Sequence, residues 1–162
     1  TLSVRTINET VRDELKLDFN RLMLQEAMVL DPEGPLWYRG LVPENQETMS
    51  AQLTSILRNF EAERMVVGHT SRTGAIMPYF DGRVLAIDVG ISKYYGGRLA
   101  CLLIENGKTY ALHRGTKLEL PSRPGEALLS YLREAAALDP SPSPLLGTIG
   151  VLEAALSFLS GP

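Results

Sequence analysis

The sequence predicts an α+β fold, mainly one mixed or antiparallel sheet with flanking helices. Three observations predict it. Apolar residues recur at three-, four- and seven-residue steps near both ends of the chain, the period of amphipathic helices. From Ala75 to Leu120 that period gives way to short runs that read as strands. Asp81-Gly82 and Asn106-Gly107 separate these runs, and such dipeptides tolerate the positive backbone angles of tight hairpin turns.

Composition fits one globular core. Of 162 residues, 44% are hydrophobic and 22% charged, a balance that lets the chain bury a core without help from metals or disulfides. The formal net charge is −3 and the basic residues are scattered, with no stripe to track a phosphate backbone, so no nucleic-acid partner is expected. Cys101 is the sole cysteine, which excludes an internal disulfide and a thiolate zinc cluster. Its place in the apolar run Leu99–Ile104 predicts a buried, inert thiol. No basic-then-apolar leader follows Thr1, and the compartment stays open between cytoplasm and periplasm.

Taken in order, Thr6 and Glu9 form a T-x-x-E capping box ahead of Ile7, Val11, Leu15, Leu22 and Met23, which predicts one amphipathic helix to about Met28. Asp31-Pro32-Glu33-Gly34-Pro35 breaks it. A second helix is expected from about Glu44 to Phe60, with Met49, Leu53, Ile56, Leu57 and Phe60 on one face. Arg64–Gly68 reads as a short buried strand that runs into Gly68-His69-Thr70. Strands are expected over Ala75–Phe80, Arg83–Val89, Arg98–Glu105, Lys108–Arg114 and Thr116–Leu120. After Pro121 a helix is predicted over Gly125–Leu138, with Leu128, Leu129, Leu132 and Ala136 on one side. Asp139–Pro144 is a proline–serine linker, and Leu145–Leu159 an apolar helix too short to span a bilayer, expected to dock on the core.

The segment with most chemistry is Val66-Val67-Gly68-His69-Thr70. An apolar strand fixes the backbone, Gly68 allows a tight exit, and His69 projects where an imidazole nitrogen can reach a divalent metal. Alone, such a histidine is more often a hydrogen-bonded structural residue. His113 sits in a strand away from every motif and is expected to be structural.

Gly68-His69-Thr70, followed by Phe80-Asp81-Gly82-Arg83 and Ile87-Asp88-Val89-Gly90, resembles the last metal-binding segment of calcineurin-like metallophosphoesterases. Tyr94-Tyr95-Gly96-Gly97-Arg98-Leu99-Ala100 resembles the next turn and strand of the phosphoprotein phosphatase branch, and Leu36-Trp37-Tyr38-Arg39-Gly40 matches its bacterial Shewanella-like type. The resemblance covers about Thr1 to Leu120. It implies that residues 1–120 are the C-terminal part of an α/β/β/α sandwich, with 121–162 a helical extension. It further implies a dinuclear centre of two divalent metals (manganese, iron or zinc) whose shared hydroxide attacks phosphorus in a phosphomonoester, with phosphoproteins the favoured substrate class. His69 would be a metal ligand. Arg39 would hold the substrate phosphate, a task suited to the planar guanidinium fork. Tyr94 or Tyr95 would line the site, and either could equally pack on the sheet edge.

The family's Asp-x-His, Gly-Asp-x-x-Asp-Arg-Gly and Gly-Asn-His-Glu motifs do not occur in this sequence, nor does a His-Gly-Gly segment. No catalytic residue is therefore assigned in this half. One imidazole cannot hold a dinuclear centre, so the chain alone is expected to be inactive. The missing N-terminal half of the domain becomes an expected partner beside the phosphorylated substrate, and its loss should leave an apolar sheet face uncovered. The alternatives are a dinucleoside polyphosphate hydrolase of the same superfamily and a non-catalytic interaction module.

Overall fold

A computed structural model describes residues 3–41, 46–71 and 73–159. The chain forms two compact units, Thr1–Gly40 and Leu41–Pro162.

In the first unit, α1 (Val4–Glu14) is capped by Ser3, whose hydroxyl accepts the Thr6 N–H at 3.1 Å. The capping box expected at Thr6 lies one turn too late, because Ser3 supplies the same oxygen earlier. The single helix expected to Met28 is two. Asp18 is itself a strong N-cap: its carboxylate accepts the Arg21 N–H at 3.1 Å and starts α2 (Phe19–Leu24). The Glu14 carboxylate then accepts the N–H groups of Met28 (3.1 Å) and Val29 (2.9 Å), tying the end of α1 to the turn after α2. The Trp37 indole N–H donates to the Val29 carbonyl at 2.7 Å and fastens the Leu36–Gly40 segment to the same turn.

In the second unit, α3 (Gln46–Asn59) buries Leu53 and Leu57 against Phe80 and Val84. The first residues expected in that helix, Glu44 and Asn45, lie outside the described residues, and Phe60 is exposed rather than packed. Strands β1 (Met65–Val67), β2 (Met77–Tyr79) and β3 (Val84–Ala86) form a ladder in the order β1-β3-β2. β1 runs parallel to β3, with Val67 opposite Ala86, and β2 runs antiparallel to it. The buried strand expected at Arg64–Gly68 is an edge strand instead, with Val66 45% exposed.

The antiparallel meander follows as β4 (Ala100–Glu105), β5 (Lys108–His113) and β6 (Thr116–Glu119). Asn106 and Gly107 take φ 52° and 75°, the left-handed pair that a two-residue hairpin demands. Arg114-Gly115 makes the second such turn, with φ 48° and 87°. The α+β class is thus present, with its strands divided between two three-stranded ladders rather than gathered mainly in one sheet.

Strand alternation sorts the meander's side chains. Ala100, Leu102, Ala111 and Leu118 face a core that also takes Ile76, Leu85 and Val89. Helix α4 (Glu126–Leu138) contributes Leu128, Leu129, Leu132 and Ala135, with Ala136 at the margin, and the Tyr131 hydroxyl donates to the Ile76 carbonyl at 3.0 Å. Helix α5 (Leu146–Leu159) docks on this core through Ile149, Leu152 and Leu156, while Val151 and Phe158 stay exposed. Among the described residues no helix is long and apolar enough to cross a membrane.

The other face of the meander carries Cys101, Leu103, Tyr110 and Leu112, half-buried or exposed. Lys117 lies 4.1 Å over the Tyr110 ring and pairs with Glu105. Cys101 is exposed, which corrects the expectation of a buried thiol. An apolar run cannot tell which of its members faces the core, and the register Cys101↔Leu112 sets this one on the uncovered face.

His113 is structural, as expected. It is buried, and its Nε2 lies 3.0 Å from Asp139 Oδ1.

Candidate functional site

Because β1 and β3 are parallel, their carboxyl ends lie at one end of the ladder, and the Ile87 N–H donates to the Val67 carbonyl at 2.9 Å to extend the pairing. Two loops leave from there side by side: Gly68-His69-Thr70-Ser71 and Asp88-Val89-Gly90. Carboxyl ends of parallel strands are where ligands collect in such sheets. The Asp88 carboxylate accepts the Gly90 N–H at 2.9 Å and turns the second loop back on itself.

His69 is exposed and holds φ 60°, in the left-handed region. A histidine there is uncommon and costs on the order of 1–2 kcal/mol, a strain that clusters at functional positions.

Gly90 gathers the neighbouring pieces. Its φ is 77°, and a Cβ built on it would lie 2.8 Å from Ser71 Oγ and 2.8 Å from Tyr95 Cβ. The histidine loop and the tyrosine turn (a single 3₁₀ turn, Lys93–Tyr95) therefore meet over a residue that has room for no side chain. Tyr94 and Tyr95 stack edge to face, ring centroids 5.0 Å apart. Tyr95 is the one against the histidine loop; Tyr94 is 88% exposed. We expect Gly90→Ala to destabilise the second unit by about 2 kcal/mol or more, from the left-handed angle plus the contact with Tyr95. Urea denaturation measures it, and a loss below about 0.5 kcal/mol, the range of ordinary surface changes, would contradict the packing.

Arg98 is a site neighbour that sequence reasoning passed over. Its N–H donates to the Gly90 carbonyl at 3.2 Å, and its side chain covers Gly74, where a Cβ would lie 2.8 Å from Arg98 Cδ. The guanidinium is half-buried and has no ion pair among the described residues. The signal was in the sequence: a cation directly after Gly96-Gly97, in the turn already singled out for its tyrosines.

Arg39 belongs to the first unit. Its Nη1 donates to the Trp37 carbonyl at 3.0 Å, and its guanidinium carbon lies 5.9 Å from the Trp37 ring centroid. Cation–π contact and hydrogen bond hold it against its own motif.

Among the described residues no group of three or more His, Cys, Asp or Glu side chains could hold a metal ion. The described donors do not by themselves fit a metal centre: His69 brings one nitrogen, and a catalytic site needs three protein ligands or more.

No family model matches the chain. An uncharacterized protein of Schizosaccharomyces pombe is 31% identical over 121 residues, covering 71% of this chain and 36% of the relative. Two solved structures of cold-active protein tyrosine phosphatase superpose on it. One, at 1.1 Å resolution, has a TM-score of 0.60 and 27% identity, over 75% of this chain and 36% of that protein. The other, from a psychrophilic Shewanella species, has a TM-score of 0.62 and 29% identity, over 74% and 35%. The chain spans about a third of the length of each protein it matches, and over three quarters of its own length it is similar in fold and sequence to part of a cold-active protein tyrosine phosphatase.

Proposed function

We propose that this chain is the C-terminal part of a metal-dependent phosphatase that hydrolyses phosphomonoesters, phosphoproteins being the favoured substrate class. The observation that carries the reading is His69, held in a left-handed conformation at the carboxyl end of β1, in the loop whose Ser71 lies against Gly90. The likeness to cold-active protein tyrosine phosphatase supports the same reaction class.

In this reading His69 donates one imidazole nitrogen to a divalent metal centre whose other ligands lie in the rest of the protein. Arg98 supplies positive charge to the phosphoryl oxygens and Tyr95 lines the site; Arg39, in the other unit, keeps the phosphate-binding role that the resemblance implies for it. The uncovered meander face, with Cys101, Leu103, Tyr110 and Leu112, is where the remaining part of the domain packs.

The test is activity with p-nitrophenyl phosphate and added manganese. The 162-residue chain alone is expected to give no turnover above a metal blank, while the longer protein containing it turns over. Turnover by the 162-residue chain that disappears in His69→Asn would show that these residues hold a whole active site. A longer protein with no phosphatase activity would remove the reading.

A further inference from the structure

Beside the amino end of β1, opposite His69 along that strand, lies a cleft of about 660 Å³ lined mainly from β5, β6 and α4. Arg64, immediately before β1, lines it from one side. Lys108, at the start of β5, and Arg123, in the turn between β6 and α4, line it from two others. A smaller hollow of about 240 Å³ adjoins it and shares Arg64, Thr109 and Ser122.

These three cations lack the carboxylate partner that six others among the described residues have. Arg5, Lys16, Arg21, Arg114, Lys117 and Arg133 each lie within 4 Å of a carboxylate. Arg64, Lys108 and Arg123 pair with none among the described residues. Partners are close by, for Glu119 and Glu134 line the same cleft, and Glu134 instead accepts a hydrogen bond from Ser130 at 3.2 Å. Three cations against two carboxylates leave the lining at +1, on a chain whose formal charge is −3. Thr109 and Ser122 add hydroxyls. Helix α4 starts beside them at Gly125, with no side-chain cap.

We propose that this cleft binds a phosphate monoester, carried on a polypeptide side chain. Two arginine forks and a lysine from separate elements along one cleft match the several oxygens of a phosphoryl dianion. The cleft's volume falls in the range of sites that enclose drug-sized ligands, on the order of 300–1,000 Å³ and far beyond one phosphate, so flanking peptide fills the rest. The proposal concerns the pole of the ladder away from His69 and does not depend on the phosphatase reading.

The experiment is an NMR titration of the 162-residue chain at constant ionic strength, following the Gly107, Ser122 and Gly125 amides. Three probes are compared: a phosphoserine peptide, its unphosphorylated twin and inorganic phosphate. The phosphopeptide is expected to bind at least tenfold tighter than its twin, and Lys108→Gln combined with Arg123→Gln to weaken it at least tenfold. Arg12→Gln, on α1 in the other unit, should leave it unchanged. Inorganic phosphate binding as tightly as the phosphopeptide would overturn the peptide source and leave a free anion as occupant. Equal shifts from chloride, or affinity unchanged in the double variant, would overturn the site.

Discussion

Replacing Asp139 by alanine is expected to lower the stability of the second unit by about 3 kcal/mol, the range found when a buried charge network loses its centre. Three groups converge on this carboxylate. Oδ1 accepts from His113 Nε2 at 3.0 Å and from Arg114 Nε at 2.8 Å, while Oδ2 accepts from Ser143 at 2.8 Å. The Asp139 side chain is 2% exposed and His113 1%, so water cannot replace the lost partner. The clasp joins the end of β5 to the linker that turns α4 into α5, and its failure should loosen α5 first. Arg133→Ala is the control. It breaks a 2.6 Å ion pair to Glu153 between two half-exposed side chains, and should change stability by less than about 1 kcal/mol.

The same carboxylate sets an acid limit. Burial pushes the Asp139 pKa up, but hydrogen bonds from Arg114, Ser143 and His113 outweigh it and hold the carboxyl below the usual range. A folded value below the unfolded one of about 3.9 means that the stabilisation is fully present above about pH 4 and drains away as pH falls through the folded value. Urea midpoints from pH 6 to pH 3 should therefore fall in the parent and converge on those of Asp139→Ala. Parallel curves, or a loss below about 1 kcal/mol at pH 6, would show that the clasp contributes little.

Sequence periodicity located the elements better than their environments. Asn106-Gly107 announced its hairpin because only a few residues accept two consecutive left-handed angles. The helix after Pro121 was legible from Leu128, Leu129 and Leu132, all of which reach the core. What failed turned on a competing local cap or on strand neighbours outside the run being read. The Asp18 cap competed locally with a helix that apolar spacing alone would have continued. Val66 sits on an edge strand, which no three-residue run can reveal, and Cys101 faces outward because of a register fixed by β5. The candidate site shows the same division. Gly68-His69-Thr70 and Tyr94-Tyr95 stood out as motifs, but Gly90 as the point where they meet, and Arg98 above Gly74, follow only from the fold. Asp139, in a stretch that reads as linker, gave no sign of closing a buried network.

The largest functional effect should come from His69. Substitution by asparagine separates imidazole from backbone, since asparagine accepts the left-handed angle that His69 holds at φ 60°. His69→Asn should therefore keep the fold, with an unchanged urea midpoint. Alanine would add strain and confuse the two effects. In the longer protein that the proposed function requires, the variant is expected to bind one metal fewer per chain by mass spectrometry. Its kcat/KM on p-nitrophenyl phosphate should fall on the order of a hundredfold or more, since even outer-shell partners of metal ligands are worth ten- to a hundredfold. Arg98→Gln supplies the contrast: it removes charge beside the same loops without removing a nitrogen donor, so metal content should hold while kcat/KM drops. A histidine there only to shape the loop would give the opposite pattern, with stability moving while metal content stays fixed. Unchanged metal stoichiometry together with retained kcat/KM in His69→Asn would end the assignment.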